Sequence, residues 1–318
     1  MHPARSVIFF TTASGAGYGM MLWLGVLALL GLIPGSLTFH LAAFGLGLGL
    51  IVAGLLSSTF HLGHPERAWR AFSQWRSSWL SREGVSAVLT FIPLGLFALA
   101  STFELAPTET VAVLGLIGGA MSLLTIFTTS MIYASLRTIP AWHNGWTVAG
   151  YLVLGPMNGA LILVAILLLF GQEIPAAVMT VPAILLLVIG LLVKLFYWLR
   201  IDRAKPVSTI GSATGLGHLG RVDMTASPHD TENYLLREMG FRIARKHAAK
   251  LRMIAVVLGF AVPLLCLLAA LVVGGLLPST LLVLLAWLSC QIGITTERWL
   301  FFAEAKHAVT LYYGEQAV

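Results

Sequence analysis

TVAGYLVLGPMNGALILVAILLLF, residues 147–170, carries no charged side chain. A run of about 20 apolar residues is long enough to cross the hydrocarbon of a bilayer as a helix. Inside hydrocarbon each backbone N–H and C=O must bond within the protein, which favours helices over open structure. The polar–apolar alternation of a membrane barrel strand is absent.

Seven further apolar segments flank this one, at roughly 7–33, 38–62, 82–105, 110–133, 176–200, 251–275 and 279–302. The chain is 58% hydrophobic and 10% charged, with a mean hydropathy of +0.90. Soluble domains carry about 25% charged residues, so an aqueous globular fold is excluded. The expectation is an all-α integral membrane protein of eight transmembrane helices, one anchor domain over 1–318. The first segment is too long for a cleavable leader and is expected to remain as a span. Gly15 and Gly19, like Gly45 and Gly49, stand four apart and are expected to let neighbouring helices approach closely. Cys266 and Cys290 lie inside apolar runs without a CxxC pattern, so they read as packing residues.

Basic residues set the expected orientation. The connections after helices 1, 3, 5 and 7 hold no Lys or Arg. Those after helices 2, 4 and 6 hold Arg67, Arg70, Arg76 and Arg82, then Arg137, then a series from Arg203 to Lys250. The positive-inside rule makes this end, with both termini, cytoplasmic. Bacterial inner-membrane, multi-pass placement follows. Trp69, Trp75, Trp79, Trp142 and Trp146 fall in the same connections and are expected at the headgroup layer, in contact with membrane lipid.

Residues 202–250 form the one long polar segment. Its second half, from about Ser227, places Asp230 and Glu232 early and Arg245, Lys246 and Lys250 late, the order a helix dipole prefers. We expect a helix there that serves as a docking surface for a cytoplasmic partner. Gly215, Gly217 and Gly220 spell G-x-G-x-x-G, but no strand precedes them and no βαβ unit fits. They read as turn glycines, and no nucleotide or nucleic-acid partner is expected.

Ionisable groups crowd the end of helix 2, where residues 59–69 read TFHLGHPERAW. Gly63 and Pro65 form a helix-stop signal, and a histidine in a last turn meets the negative end of the dipole. Ser81 as N-cap and Glu83 in the first turn would begin helix 3 in the ordinary way. An imidazole and a carboxylate on one interfacial pocket could instead exchange protons with a quinone headgroup. Arg67 could fix that carboxylate, a quinone carbonyl or a lipid phosphate. Membrane haem takes axial histidines from within spans, and His40, His143 and His307 lie near helix ends instead. Lys194, Glu297 and Arg298 read as snorkelling or interhelical charge pairs, with Glu304, His307 and His64 as possible neighbours of the pocket.

HLGHPERA at 61–68 with LSRE at 80–83, and YASLRTIPAWHNGWT at 133–147, resemble two signatures of the dimethyl-sulfoxide-reductase anchor family. The first matches that family's His-Leu-Gly-x-Pro-x-Arg-Ala and Leu-Ser-x-Glu. The second matches its Tyr-x-Ser-x-x-Thr-x-Pro-x-Trp. The resemblance implies a quinone-interacting anchor, for ubiquinone or menaquinone, with no haem or iron–sulfur cluster of its own. A four-cluster iron–sulfur subunit and a molybdopterin catalytic subunit would dock on the cytoplasmic side. His61 and Glu83 match positions associated with quinol, Gly63 and Arg67 share their loop, and Tyr133 and Trp142 belong to the second signature. The charge arrangement and the tail at 296–314, TERWLFFAEAKHAVTLYYG, resemble the family's cytoplasmic sulfite-oxidising branch. Electrons would then pass from sulfite through the clusters to quinone. The alternative is a quinol-oxidising anchor of an S- or N-oxide reductase. A transporter is disfavoured by the charge-poor helix middles and the lack of an internal repeat.

Overall fold

The computed structural model describes residues 5–60, 62–226 and 245–318. Eight helices are long and apolar enough to cross a membrane: α1 (Arg5–Leu29), α2 (Leu37–Thr59), α3 (Trp79–Thr102), α4 (Thr108–Ala134), α5 (Gly145–Leu169), α6 (Glu173–Asp202), α7 (Ala248–Val273) and α8 (Leu276–Ala303). This is the multi-pass architecture that the apolar runs predict. Among the described residues there is no strand, only an isolated bridge between Thr209 and Ala317.

α1 and α5 form the centre and are the two most buried spans. α1 packs against α2, α4 and α5; α3 leans on α4, α6 on α5, and the α7–α8 pair on α5 and α6. With lipid as apolar as leucine, such contacts depend on close van der Waals fit and therefore on small residues. A Cβ on Gly19 would stand 2.4 Å from the Gly155 carbonyl oxygen, and one on Gly159 2.2 Å from the Met20 nitrogen. The Gly15–Gly19 face is thus a true packing face. Gly45 and Gly49 are not, for a Cβ at either meets nothing within 4 Å. α2 instead turns Gly47, Ile51 and Gly54 toward α1, a face offset by two residues.

α7 contains one π-turn at Val257–Ala261, where the Val262 N–H donates to the Val257 carbonyl. Pro263 follows and has no N–H to offer, so the wider turn absorbs the break in the ladder. Gly259 in this turn lies directly on Gly293 of α8.

Helix-end chemistry differs from the sequence reading in two places. α2 ends at Phe60 with ordinary right-handed φ of −70°, and Gly63 is absent from the left-handed positions. Gly63 therefore does not cap α2, while Pro65 instead opens a 3₁₀ segment, Pro65–Gln74. At α3 the N-cap position is Ser78. Ser81 lies inside the first turn, its hydroxyl donating to the Ala71 carbonyl and tying the 3₁₀ segment to α3.

Trp69 and Trp75 are exposed on this loop, as interfacial residues should be. Trp142 corrects that expectation, because it is buried and its Nε1 donates to the Phe301 carbonyl at 2.9 Å. Most of the helix expected from Ser227 onward lies outside the described residues. A one-turn helix, Ile210–Thr214, precedes the glycine motif, and Gly215 and Gly220 take φ of +71° and +141°. They are turn residues, as read.

Candidate functional site

Hydroxyl side chains survive inside apolar helices by bonding to carbonyls one turn back, which leaves their oxygens free to pair across helices. α3 and α4 use this along one seam. Ser86 Oγ pairs with Thr128 Oγ1 at 3.0 Å, and Thr90 Oγ1 with Thr125 Oγ1 at 2.9 Å. Glu83 heads the seam, buried, with Oε1 3.2 Å from the Thr129 hydroxyl. That hydroxyl is also 2.9 Å from the Thr125 carbonyl. A hydroxyl has one proton to give, so the contact exists in two forms. With Glu83 ionised, Thr129 donates to the carboxylate. With Glu83 protonated, the acid donates to Thr129, and Thr129 turns its proton to the Thr125 carbonyl.

An apolar cleft of about 420 Å³ lies beside this seam, walled by Trp75, Trp79, Leu89, Leu124 and Phe127. Ser86 and Thr128 line it, so the hydroxyl pair that adjoins Glu83 also borders the cleft. The Trp79 ring meets Phe127 edge-on at 6.0 Å, and the Arg82 guanidinium sits 4.3 Å over Trp79. Arg82 is held there by the Trp75 and Arg76 carbonyls.

On the inner side, Thr129 lines a small cavity with Tyr18 and Tyr151, and Tyr133 stands one turn beyond Thr129 on α4. Tyr133 and Trp142 are brought together as the second signature implies, with ring centroids 5.3 Å apart. They join an aromatic cluster in which Tyr133 stacks on Tyr151 at 5.9 Å and Trp142 on Phe301 at 5.8 Å. Arg67 and Gly63 stay exposed on the 3₁₀ loop, and the Arg67 guanidinium lies 3.6 Å from Glu66. His64 likewise bonds Glu66, at 3.0 Å. His61 lies outside the described residues.

Beyond Tyr151 the polar chain continues into a buried ion triad. Lys194 Nζ is 2.5 Å from Glu297 Oε1, and Arg298 grips the same carboxylate at 2.5 and 3.0 Å. Lys194 therefore does not snorkel; interhelical pairing is the correct reading. Its ammonium also sits 3.8 Å from the Tyr197 ring centroid, and Arg298 4.5 Å from that of Tyr151. Sequence reasoning does not place Tyr18, Thr129, Tyr151 and Lys194 in one network. A threonine-rich run in α4, TIFTTS at 125–130, is the signal that points to it. No group of three His, Cys, Asp or Glu among the described residues is placed to hold a metal ion.

Residues 1–314 match the family described as DMSO reductase anchor subunit (DmsC). Over the full length of both proteins, the sequence is 33% identical to the C subunit of sulfite dehydrogenase from Allochromatium vinosum. It is 29% identical to YnfH, an anaerobic dimethyl sulfoxide reductase polypeptide of Escherichia coli, over 43% of this protein and 49% of that one. The DmsC-type relative named as the C polypeptide of anaerobic dimethyl sulfoxide reductase, from the same organism, is also 29% identical, over 41% and 45%.

Proposed function

We propose, for a protein that belongs to the DMSO reductase anchor subunit family, that it binds quinone in the α3–α4 cleft and passes it electrons from an iron–sulfur partner. The cleft's volume falls within the range of small-molecule sites, and its walls are apolar with a few polar groups behind. Trp75, Trp79 and Phe127 would cover the ring, while Ser86 and Thr128 offer hydroxyls at its inner edge. Reduction of a quinone consumes two electrons and two protons. Glu83 would exchange the protons through the seam, with His61 on the adjoining loop as its partner by family resemblance.

The carrying observation is a buried carboxylate in hydrogen-bond contact with Thr129, at the head of a hydroxyl seam that borders the cleft. The partners would be a four-cluster iron–sulfur subunit and a molybdopterin subunit on the cation-bearing, cytoplasmic end. Full-length similarity to a sulfite dehydrogenase subunit supports sulfite as the electron source. In the assembled complex, Glu83→Gln should slow quinone reduction by about 100-fold or more, and His61→Ala should slow it as well. Normal turnover in an assembled Glu83→Gln complex would end the site assignment. Sulfite with a quinone analogue, against a sulfoxide with quinol, decides the direction of flow.

A further inference from the structure

Glu83 is buried, so protons reaching it must pass through polar neighbours. Behind Thr129 a cavity of about 30 Å³ lies between α1, α4, α5 and α8, lined by Ser14, Tyr18, Thr129, Tyr151, Asn158 and Arg298. That volume holds a water molecule, and a stable internal water needs two to four polar partners. The hydroxyls of Tyr18 and Tyr151 are buried here with no partner at close hydrogen-bond distance among the described residues, Thr125 and Arg298 being polar neighbours; the two side chains are 2% and 6% exposed. Buried polar groups without partners are rare, because each costs its full desolvation. Both hydroxyls therefore point to a polar occupant of this cavity.

We infer that the cavity is an internal water site that relays protons to Glu83 through Thr129. The inference rests on the quinone-site reading above. Thr11, Ser14 and Tyr18 recur at helical spacing along one face of α1. Thr11 and Thr12 extend the lining along α1. Thr11 and Ser14 give their own protons to carbonyls one turn back, so their oxygens remain acceptors for water. Thr129, which borders the cavity, hands its own proton to Glu83 Oε1 and takes one from the water behind it. Glu83 then gives that proton to the quinone oxygen, matching each electron delivered. Arg298 cannot release a proton. Clamped by Glu297, it closes the inner wall and holds water oxygen toward the cavity.

The test uses the assembled complex, with turnover measured in H2O and D2O. Tyr18→Phe with Tyr151→Phe removes only the two unpartnered hydroxyls. Gly15→Ala fills cavity space at an ordinary contact, its Cβ standing 3.6 Å from Gly155. Either change should slow quinone reduction roughly tenfold, raise the solvent isotope effect, and leave KM for quinone unaltered. In the infrared, the carboxyl band lost in Glu83→Gln should exchange with D2O more slowly in both variants. Parent turnover, isotope effect and band exchange in either variant, alongside an inactive Glu83→Gln, would overturn the water route and leave the quinone site standing. Parent turnover in Glu83→Gln would overturn the quinone site itself.

Discussion

Lys194, Glu297 and Arg298 hold three formal charges on two adjacent residues of α8 and one of α6, all nearly inaccessible. Taken out of water, each ion loses its hydration, and only mutual attraction and hydrogen bonds offset the loss. Two cations share one carboxylate, so Glu297 is the member whose removal leaves most unpaired charge. Glu297→Gln should destabilise the protein by about 3–5 kcal/mol, or prevent its accumulation. Lys194→Met leaves a bidentate Arg–carboxylate pair intact and should cost less. Thermal unfolding of both variants in detergent checks the order, and a milder Glu297→Gln would show that the triad is not arranged as described. Sequence position alone suggests snorkelling for Lys194, since it gives depth along a helix and says nothing of the neighbouring helix that supplies the partner.

Packed elements bring different constraints. Gly159→Ala would drive a methyl group to 2.2 Å from the α1 backbone, and neither helix can yield without losing its neighbours. We expect a loss of about 1–3 kcal/mol or more, read as a lowered Tm, whereas Gly45→Ala should leave Tm unchanged. Equal melting of the two would contradict the helix rotations. At the C-terminal segment, the His307 ring meets Trp142 edge-on at 5.2 Å. Burial, aided by the nearby Arg245 charge, pushes His307 below its ordinary value of 6.5. The released segment then binds a proton more readily than the packed one. Packing is fully favoured above about pH 6.5 and weakens as pH falls toward the lowered value. Protection of the amides at 307–314, corrected for the intrinsic exchange rate, should fall over that interval, and His307→Phe should flatten the dependence. The spans themselves were legible because hydrocarbon thickness fixes a minimum length of apolar run. Their faces were legible only in part: Gly15–Gly19 and Gly45–Gly49 share one spacing, yet only the first pair meets a neighbour. Glu83, Tyr133 and Trp142 were singled out by motif resemblance, which says nothing of their contacts. Tyr18 and Tyr151 were not, because an isolated hydroxyl in an apolar helix marks nothing, whereas Thr129 stands in the threonine-rich run 125–130.

Across the whole molecule, charge is sorted by end. The short connections after α1, α3, α5 and α7 hold no Lys or Arg, while acidic Glu104, Glu109 and Glu173 lie at that end. Arg67, Arg70, Arg76 and Arg82, with Lys205 and Lys306, lie at the other. The candidate cleft opens near this second end, beside Trp75 and Arg82. Under the proposed function, a redox partner would have to come within electron-transfer range of a quinone in the cleft, which would put partner, cleft and cation-bearing loops on one side. The positive-inside rule assigns that side to the cytoplasm, which would feed both electrons and protons from within the cell. Cys266 and Cys290 are buried, so single-cysteine reporters should label over little background. In intact cells stripped of any outer barrier, a membrane-impermeant maleimide should modify Ser36→Cys at once and Lys205→Cys only after permeabilisation. The reverse pattern would place the docking face outside, and a cytoplasmic sulfite-oxidising complex would then be untenable even with the cleft and Glu83 unchanged.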